Sequence, residues 1–270
     1  MCVYCFINYI RAMNTIRTHI LFFCLITGLI STACNSEKKA EKLNIFAAAS
    51  LQDVLNKTSE LYQEKTGVEL SLNFASSGLL ARQIEQGAEF DFFFSANENW
   101  VNYLLEKNLL QVESKLNLAK NKMAIIVPKE SKIDAFENAT PKQMLSLFSG
   151  RLAIGNPDHV PAGKYAKEIL TYYKLWETFK SRLLPCKNAR ETLLMVEMGE
   201  VDMGIIYLSD AKKSNKVRCL YEFSEDCSSP ILYYSAHRTN PDSRILKFQN
   251  FLKQAESRKI WKDYAFIIND

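Results

Sequence analysis

The chain is short of the residues that acid–base and metal chemistry use. It has three histidines in 270 residues, and His19 falls in an apolar N-terminal stretch, which leaves His159 and His237. A serine nucleophile needs a base, most often histidine, oriented by a carboxylate. Neither Ser50, in "AAASL", nor Ser77, in "ASSGL", sits in a GxSxG elbow, so a hydrolase is poorly supported. Once Cys2, Cys5, Cys24 and Cys34 are assigned to the N-terminal segment, Cys186, Cys219 and Cys227 remain. They form no CxxC pair, and no metal site is indicated. Cys219 and Cys227 are spaced to close a hairpin-sized loop, but spacing alone leaves the pairing open. There is no internal repeat and no low-complexity tract. Charge is nearly balanced: Arg11 and Arg17 precede position 34, and the chain has 34 basic against 30 acidic residues. That balance gives no footprint for nucleic acid.

The longest apolar run is also short. Ile20–Ile30 follows the basic residue Arg17 and precedes Ser31-Thr32-Ala33-Cys34. A run of this length is too short for a membrane span. The layout is that of a secretory signal with a lipobox-like end and resembles bacterial lipoproteins. Residues 1–34 are therefore expected to be a signal segment, with translation starting at Met13 and Cys34 carrying lipid. Residues 35–41, within the polar "NSEKKAEK", read as a tether. The expected location is the periplasm or cell envelope, with the protein held to the membrane by that anchor.

The chain as a whole has the ordinary balance of a globular protein, with 47% hydrophobic and 24% charged residues. Beyond the tether, strand and helix patterns alternate. Residues 43–48 read as a strand. Residues 51–65 read as a helix with Leu51, Val54, Leu55, Thr58, Leu61 and Tyr62 on one face, stopped by Gly67. Residues 68–75 and 90–96 are expected strands, and 79–86 and 99–107 helices. A second unit opens at residues 122–128, with strands at 151–155, 201–208, 217–223 and 231–236. Its helices fall at 141–148, 164–175 and 190–198, and two closing helices come after them at 242–256 and 259–266. Such alternation predicts an α/β architecture with largely parallel sheet. The expected division is one lobe of 42–121 plus 237–270 and another of 122–236. The run Phe92-Phe93-Phe94 reads as a buried strand. The pairs Tyr172-Tyr173 and Tyr233-Tyr234 lack the carboxylate or histidine partners of an iron site.

Four turns place small residues directly before a helix: Ser50, Ser77-Gly78, Pro161-Ala162-Gly163 and Asn188-Ala189. Free amides and the positive dipole end at a helix start suit an anion. A single serine in such a place is ordinarily a cap. Alanine is a poor cap, so Ala162 and Ala189 read as chosen for small size. Arg82 and Arg190, just inside two of these helices, read as solvent-facing or bracing residues, and His159 as a loop residue.

Four segments, "IFAAASLQDVLNK", "NFASSGLLARQIEQGAEFDFFFSANENWVNYL", "GNPDHVPAGKYAKEIL" and "MGIIYLSDA", resemble the periplasmic molybdate-binding proteins of ABC importers. The likeness runs from about Leu43 to Phe266. It implies a two-lobed α/β periplasmic-binding-protein fold, type II-like, with the ligand in the cleft between lobes. It also implies oxyanion contacts from Ser50, Ser77, Ala162, Ala189 and Tyr207. The family often has valine where this chain has Ala189, which changes little if that position offers its amide.

Molybdate is a dianion without a proton near neutral pH, so it only accepts hydrogen bonds. None of the five positions is a carboxylate that would repel it or take the proton of hydrogen phosphate. The implied function is capture of molybdate, and of tungstate with it, and delivery to a membrane ABC permease. The protein would act as a monomer, with no cofactor and no catalysis. The alternatives are a receptor of the same fold for sulfate or thiosulfate and, from another class, an exported hydrolase.

Overall fold

The computed structural model describes residues 42–133, 140–146 and 150–268, with the side chains of 144–146 excepted. The expected signal segment, the lipidated Cys34 and the tether lie outside the described residues. Two five-stranded sheets organise the rest. The first has the order β2-β1-β3-β10-β4, built from β1 (Lys42–Ala48), β2 (Glu69–Ala75), β3 (Phe92–Ser95), β4 (Leu116–Lys120) and β10 (Leu232–His237). The second has the order β7-β6-β8-β5-β9, from β5 (Met123–Pro128), β6 (Leu152–Gly155), β7 (Leu183–Cys186), β8 (Met203–Tyr207) and β9 (Val217–Glu222). The architecture is α/β and two-lobed, as expected.

The sheets are mixed, where largely parallel sheet was expected. β10 runs antiparallel to both β3 and β4, and β5 antiparallel to both β8 and β9. Each lobe thus keeps three mutually parallel strands, β2-β1-β3 and β7-β6-β8. The chain crosses between the sheets at Asn121–Lys122 and again between β9 and β10. The expected boundary at 236/237 falls inside β10, whose pairing with β3 and β4 puts it in the first sheet.

Both faces of the first sheet are covered, and strand alternation sorts the side chains. Ile45, Ala47, Phe92 and Phe94 face one core with Tyr62 and Phe248, whereas Phe46 and Phe93 face another with Leu80, Ile84, Val101 and Leu104. Tyr62 comes from α1 (Gln52–Thr66) and Phe248 from α9 (Ser243–Leu252). Their rings lie 4.9 Å apart. The opposite face is packed by α2 (Ser77–Glu85) and α3 (Glu98–Glu106). β5 and β8 repeat the pattern, with Ile125 and Ile205 on one side and Ile126 and Ile206 on the other. They pack against α5 (Pro161–Tyr172) and α7 (Ala189–Glu197) respectively.

α4 covers Pro141–Ser146, and α6 (Trp176–Phe179) and α8 (Leu208–Lys213) are short turns that the hydrophobic pattern did not reveal. Nor did it reveal β7, an edge strand whose Pro185 is tolerated there because an edge need not donate on both sides. Gly67 ends α1 with φ of 72°, and its amide donates to the Gln63 carbonyl at 2.8 Å. The two closing helices expected at 242–256 and 259–266 are both present, with the break between them earlier: α9 stops at Leu252, Gln254 is extended, and α10 spans Ala255–Asp263. The turn brings Trp261 of α10 into the first core, where it is buried.

Candidate functional site

The three parallel strands of each sheet end at the same place. A small, partly open cavity is lined there by Ala48, Ala75 and Ala96, from the ends of β1, β2 and β3, and by Val160, Asn188 and Tyr207, from the loops after β6 and β7 and the end of β8. Ligands of open α/β sheets sit outside the carboxyl ends of strands, and here six such ends converge. Ser50, Ser77, Ala162, Ala189 and Tyr207, the five residues singled out in the sequence, all line this cavity. No lining residue carries a formal charge.

Ser50 lies in the 3-10 turn Ala49–Leu51 between β1 and α1. Its Oγ accepts a hydrogen bond from the Tyr233 hydroxyl at 3.1 Å. In "ASSG" the serines divide the work. Ser76 caps α2, its Oγ accepting from the Leu79 amide at 3.3 Å. Ser77 is fully buried, and its Oγ accepts from the Ala96 amide at 3.1 Å. In both Ser50 and Ser77 the oxygen is therefore already held by a donor, which leaves the hydroxyl proton for the cavity.

Ala162 and Ala189 are inside the first turns of α5 and α7, not at their caps. Val160 occupies the cap position of α5 without a side-chain bond, and Asn188 caps α7 by accepting from the Glu191 amide at 2.9 Å. The expectation that these alanines stand as poor caps is thus corrected. As first-turn residues they contribute amides with no intrahelical acceptor, and a methyl leaves the approach clear. Gly163 has no room for more: a Cβ there would lie 2.0 Å from the Gly155 carbonyl oxygen.

Tyr207 closes the cavity from the end of β8. It is 1% exposed, and its hydroxyl is buried with no hydrogen-bond partner. Burial, with the neighbouring Tyr233 and Tyr165 behind it, holds its pKa well above the ordinary tyrosine value, so it stays a donor. A buried, unsatisfied hydroxyl carries a desolvation cost that a ligand would relieve.

The halves meet around the cavity. The Gly78 amide of α2 donates to the His159 carbonyl at 3.2 Å, so His159 does serve as a loop residue. Arg190 braces the two sides: it is hydrogen-bonded to Asp53 of α1 and the Ala49 carbonyl, and its Nε lies 3.4 Å from Asp210 Oδ1 of α8. Asp210 is buried, which pushes its pKa up to about 7, although Arg190 opposes the shift. Arg82 lies over the Trp100 ring at 6.0 Å. Neither arginine lines the cavity. Cys186, Cys219 and Cys227 are all unpaired. Among the described residues no cluster of histidine, cysteine or carboxylates could hold a metal ion, and no helix is long and apolar enough to cross a membrane.

Tyr233, Asn121 and Asp210 escaped the sequence reading. Each acts through residues distant in the chain, and only the "YY" pair drew notice.

Residues 43–267 match the family model described as bacterial extracellular solute-binding protein. The chain is 35% identical over 240 residues to the molybdate-binding protein of Escherichia coli K12, covering 88% of this chain and 93% of that one. It is 36% identical over 230 residues to the molybdate-binding protein of Haemophilus influenzae, covering 83% and 89%. The periplasmic molybdate-binding protein of Azotobacter vinelandii superposes with a TM-score of 0.74 over 84% of this chain and 100% of that one. At 19% identity that likeness is one of fold. With the matched family spanning both lobes and the cavity between them, the chain belongs to the bacterial extracellular solute-binding proteins.

Proposed function

We propose that the cavity binds molybdate, and tungstate with it, outside the inner membrane and that the protein hands the anion to an ABC permease for import. The observation that carries this reading is the buried hydroxyl without a partner on Tyr207, a residue that lines the same uncharged cavity as Ser50 and Ser77. Three hydroxyl donors and the amides at helix starts suit an anion that accepts hydrogen bonds and offers none. Neutral donors also avoid the desolvation cost of a buried formal charge. The relatives from Escherichia coli and Haemophilus influenzae, named for molybdate binding, support the choice of anion.

The protein acts as a binder and not as an enzyme. Ser50 and Ser77 are hydrogen-bonded to a tyrosine and a backbone amide, and neither has a histidine beside its hydroxyl. No cofactor is needed. In this reading Cys34 carries the lipid that tethers a monomer to the membrane.

Calorimetric titration with molybdate, tungstate, sulfate and phosphate tests the reading. Tight binding of molybdate and tungstate, with sulfate much weaker and phosphate silent, is expected. Binding of phosphate alone, or of none of the four, would refute it, and preference for sulfate would move the protein to the sulfate class.

A further inference from the structure

Tyr233 stands behind Ser50, outside the cavity lining and fully buried in β10. Its ring packs edge-on against Phe266 at 5.2 Å and tilted against Tyr207 at 5.7 Å. Its hydroxyl donates to Ser50 Oγ at 3.1 Å and is approached by Asn121 Nδ2 at 3.4 Å, with the Tyr207 hydroxyl close by.

The direction of these bonds is fixed at Asn121. Its side-chain oxygen accepts from the Lys122 amide at 2.9 Å and the Ser209 amide at 3.4 Å. The oxygen must therefore face those amides, and the side-chain nitrogen must face Tyr233 and Ser209 Oγ, the latter 2.8 Å away. An amide nitrogen only donates, so the Tyr233 proton cannot point to Asn121 and goes to Ser50. Ser50 then accepts on its inner side and turns its own proton toward the cavity. A reversed Ser50 would make the Tyr233 oxygen accept from both Ser50 and Asn121 and turn the Tyr233 proton away from both. Burial raises the Tyr233 pKa far above the ordinary value, so the relay does not lose its proton.

We propose that Tyr233, oriented by Asn121, is a positioning residue that locks Ser50 as a donor and thereby sets the site's preference for anions without a proton. This rests on the oxyanion reading of the cavity. Hydrogen phosphate needs one acceptor in the shell, and a Ser50 whose proton points to the cavity and whose oxygen already accepts from Tyr233 is a poor one. Asn121 also sits at the crossing from the first sheet to the second, so the lock is anchored where the two lobes join.

The test is a double-mutant cycle with Tyr233→Phe and Ser50→Ala, each variant titrated with molybdate and challenged with phosphate as competitor, with thermal melting as the check on folding. Tyr233→Phe keeps the ring packing and is expected to weaken molybdate binding about three- to tenfold, the scale of one oriented hydrogen bond. Ser50→Ala should cost less in the Tyr233→Phe background than in the wild type. The ratio of molybdate to phosphate affinity should narrow in Tyr233→Phe, because the Ser50 hydroxyl is then free to turn and accept. Strictly multiplicative single effects with an unchanged phosphate ratio would overturn the inference and leave molybdate binding standing. A wild type that binds no oxyanion would overturn both.

Discussion

Replacing Tyr207 by phenylalanine should move stability and affinity in opposite directions. The ligand-free protein holds the Tyr207 hydroxyl buried and unpartnered, a state that costs about 1–3 kcal/mol. Phenylalanine keeps the ring among Tyr165 and Tyr233, 6.4 and 5.7 Å away, and removes the unsatisfied oxygen. The ligand-free variant should therefore gain about 1–2 kcal/mol, or roughly 2–6 °C in Tm for a domain of this size. In the complex the same hydroxyl donates to an anion, a bond worth about 1.5–3 kcal/mol. Its loss should weaken molybdate binding by about ten- to a hundredfold. Differential scanning calorimetry without ligand and isothermal titration with molybdate give the two numbers on one preparation. A variant that melts lower than the wild type without ligand, or that binds molybdate as tightly, would refute the reasoning.

Other perturbations separate the roles of neighbouring residues. Ser76→Ala should cost about 1 kcal/mol of stability through the lost cap and leave affinity nearly intact. Ser77→Ala, which strips the buried Ala96 amide of its acceptor, should lower both. Equal affinity losses in the two would show that the serines are misassigned. Gly78→Ala would put a Cβ 2.6 Å from both the His159 carbonyl oxygen, across the line where the halves meet, and the Trp100 ring. It should weaken binding about five- to hundredfold and also lower ligand-free melting, and unaltered affinity would mean that the contact with His159 is not needed for closure. Asp210, its pKa raised to about 7 by burial, keeps a proton in the folded state that the unfolded chain gives up near pH 4. Stability should fall as pH rises from about 4 to 7, and Asp210→Asn should flatten that slope. Parallel Tm–pH curves for wild type and variant would contradict it.

The sequence exposed the fold where local pattern and tertiary demand agree. β1 and β3 carry near-continuous apolar runs because both sheet faces are covered, and α1 shows a single apolar face that ends at Gly67. It hid the elements that answer to distant partners. β7 contains Pro185 and forms only as an edge strand beside β6, and the break between the two closing helices, itself expected, lies about four residues earlier than the pattern placed it. The site was legible as small residues at strand-to-helix turns, and the structure brings those turns together. What each residue does there was less legible. Only the hydrogen bonds separate Ser76, a cap, from Ser77, a wall of the cavity. The apparent caps Ala162 and Ala189 are first-turn residues that line the cavity.

The polarity of the site stems from these details more than from its charge. The charged residues Lys187 and Arg190 adjoin lining residues, and they are paired with Glu191 and Asp53 respectively, so little net charge stands beside the cavity. The anion must be held by dipoles, and dipoles work only if each is oriented before the ligand arrives. Ser77 is held by the Ala96 amide and Ser50 by Tyr233, while helix geometry fixes the amides near Ala162 and Ala189. Tyr207 is the exception, with its hydroxyl unheld, and so it is the donor with most to gain from a ligand. A shell in which the serines are locked and the tyrosine is left wanting discriminates by proton count through the first and draws binding energy from the second.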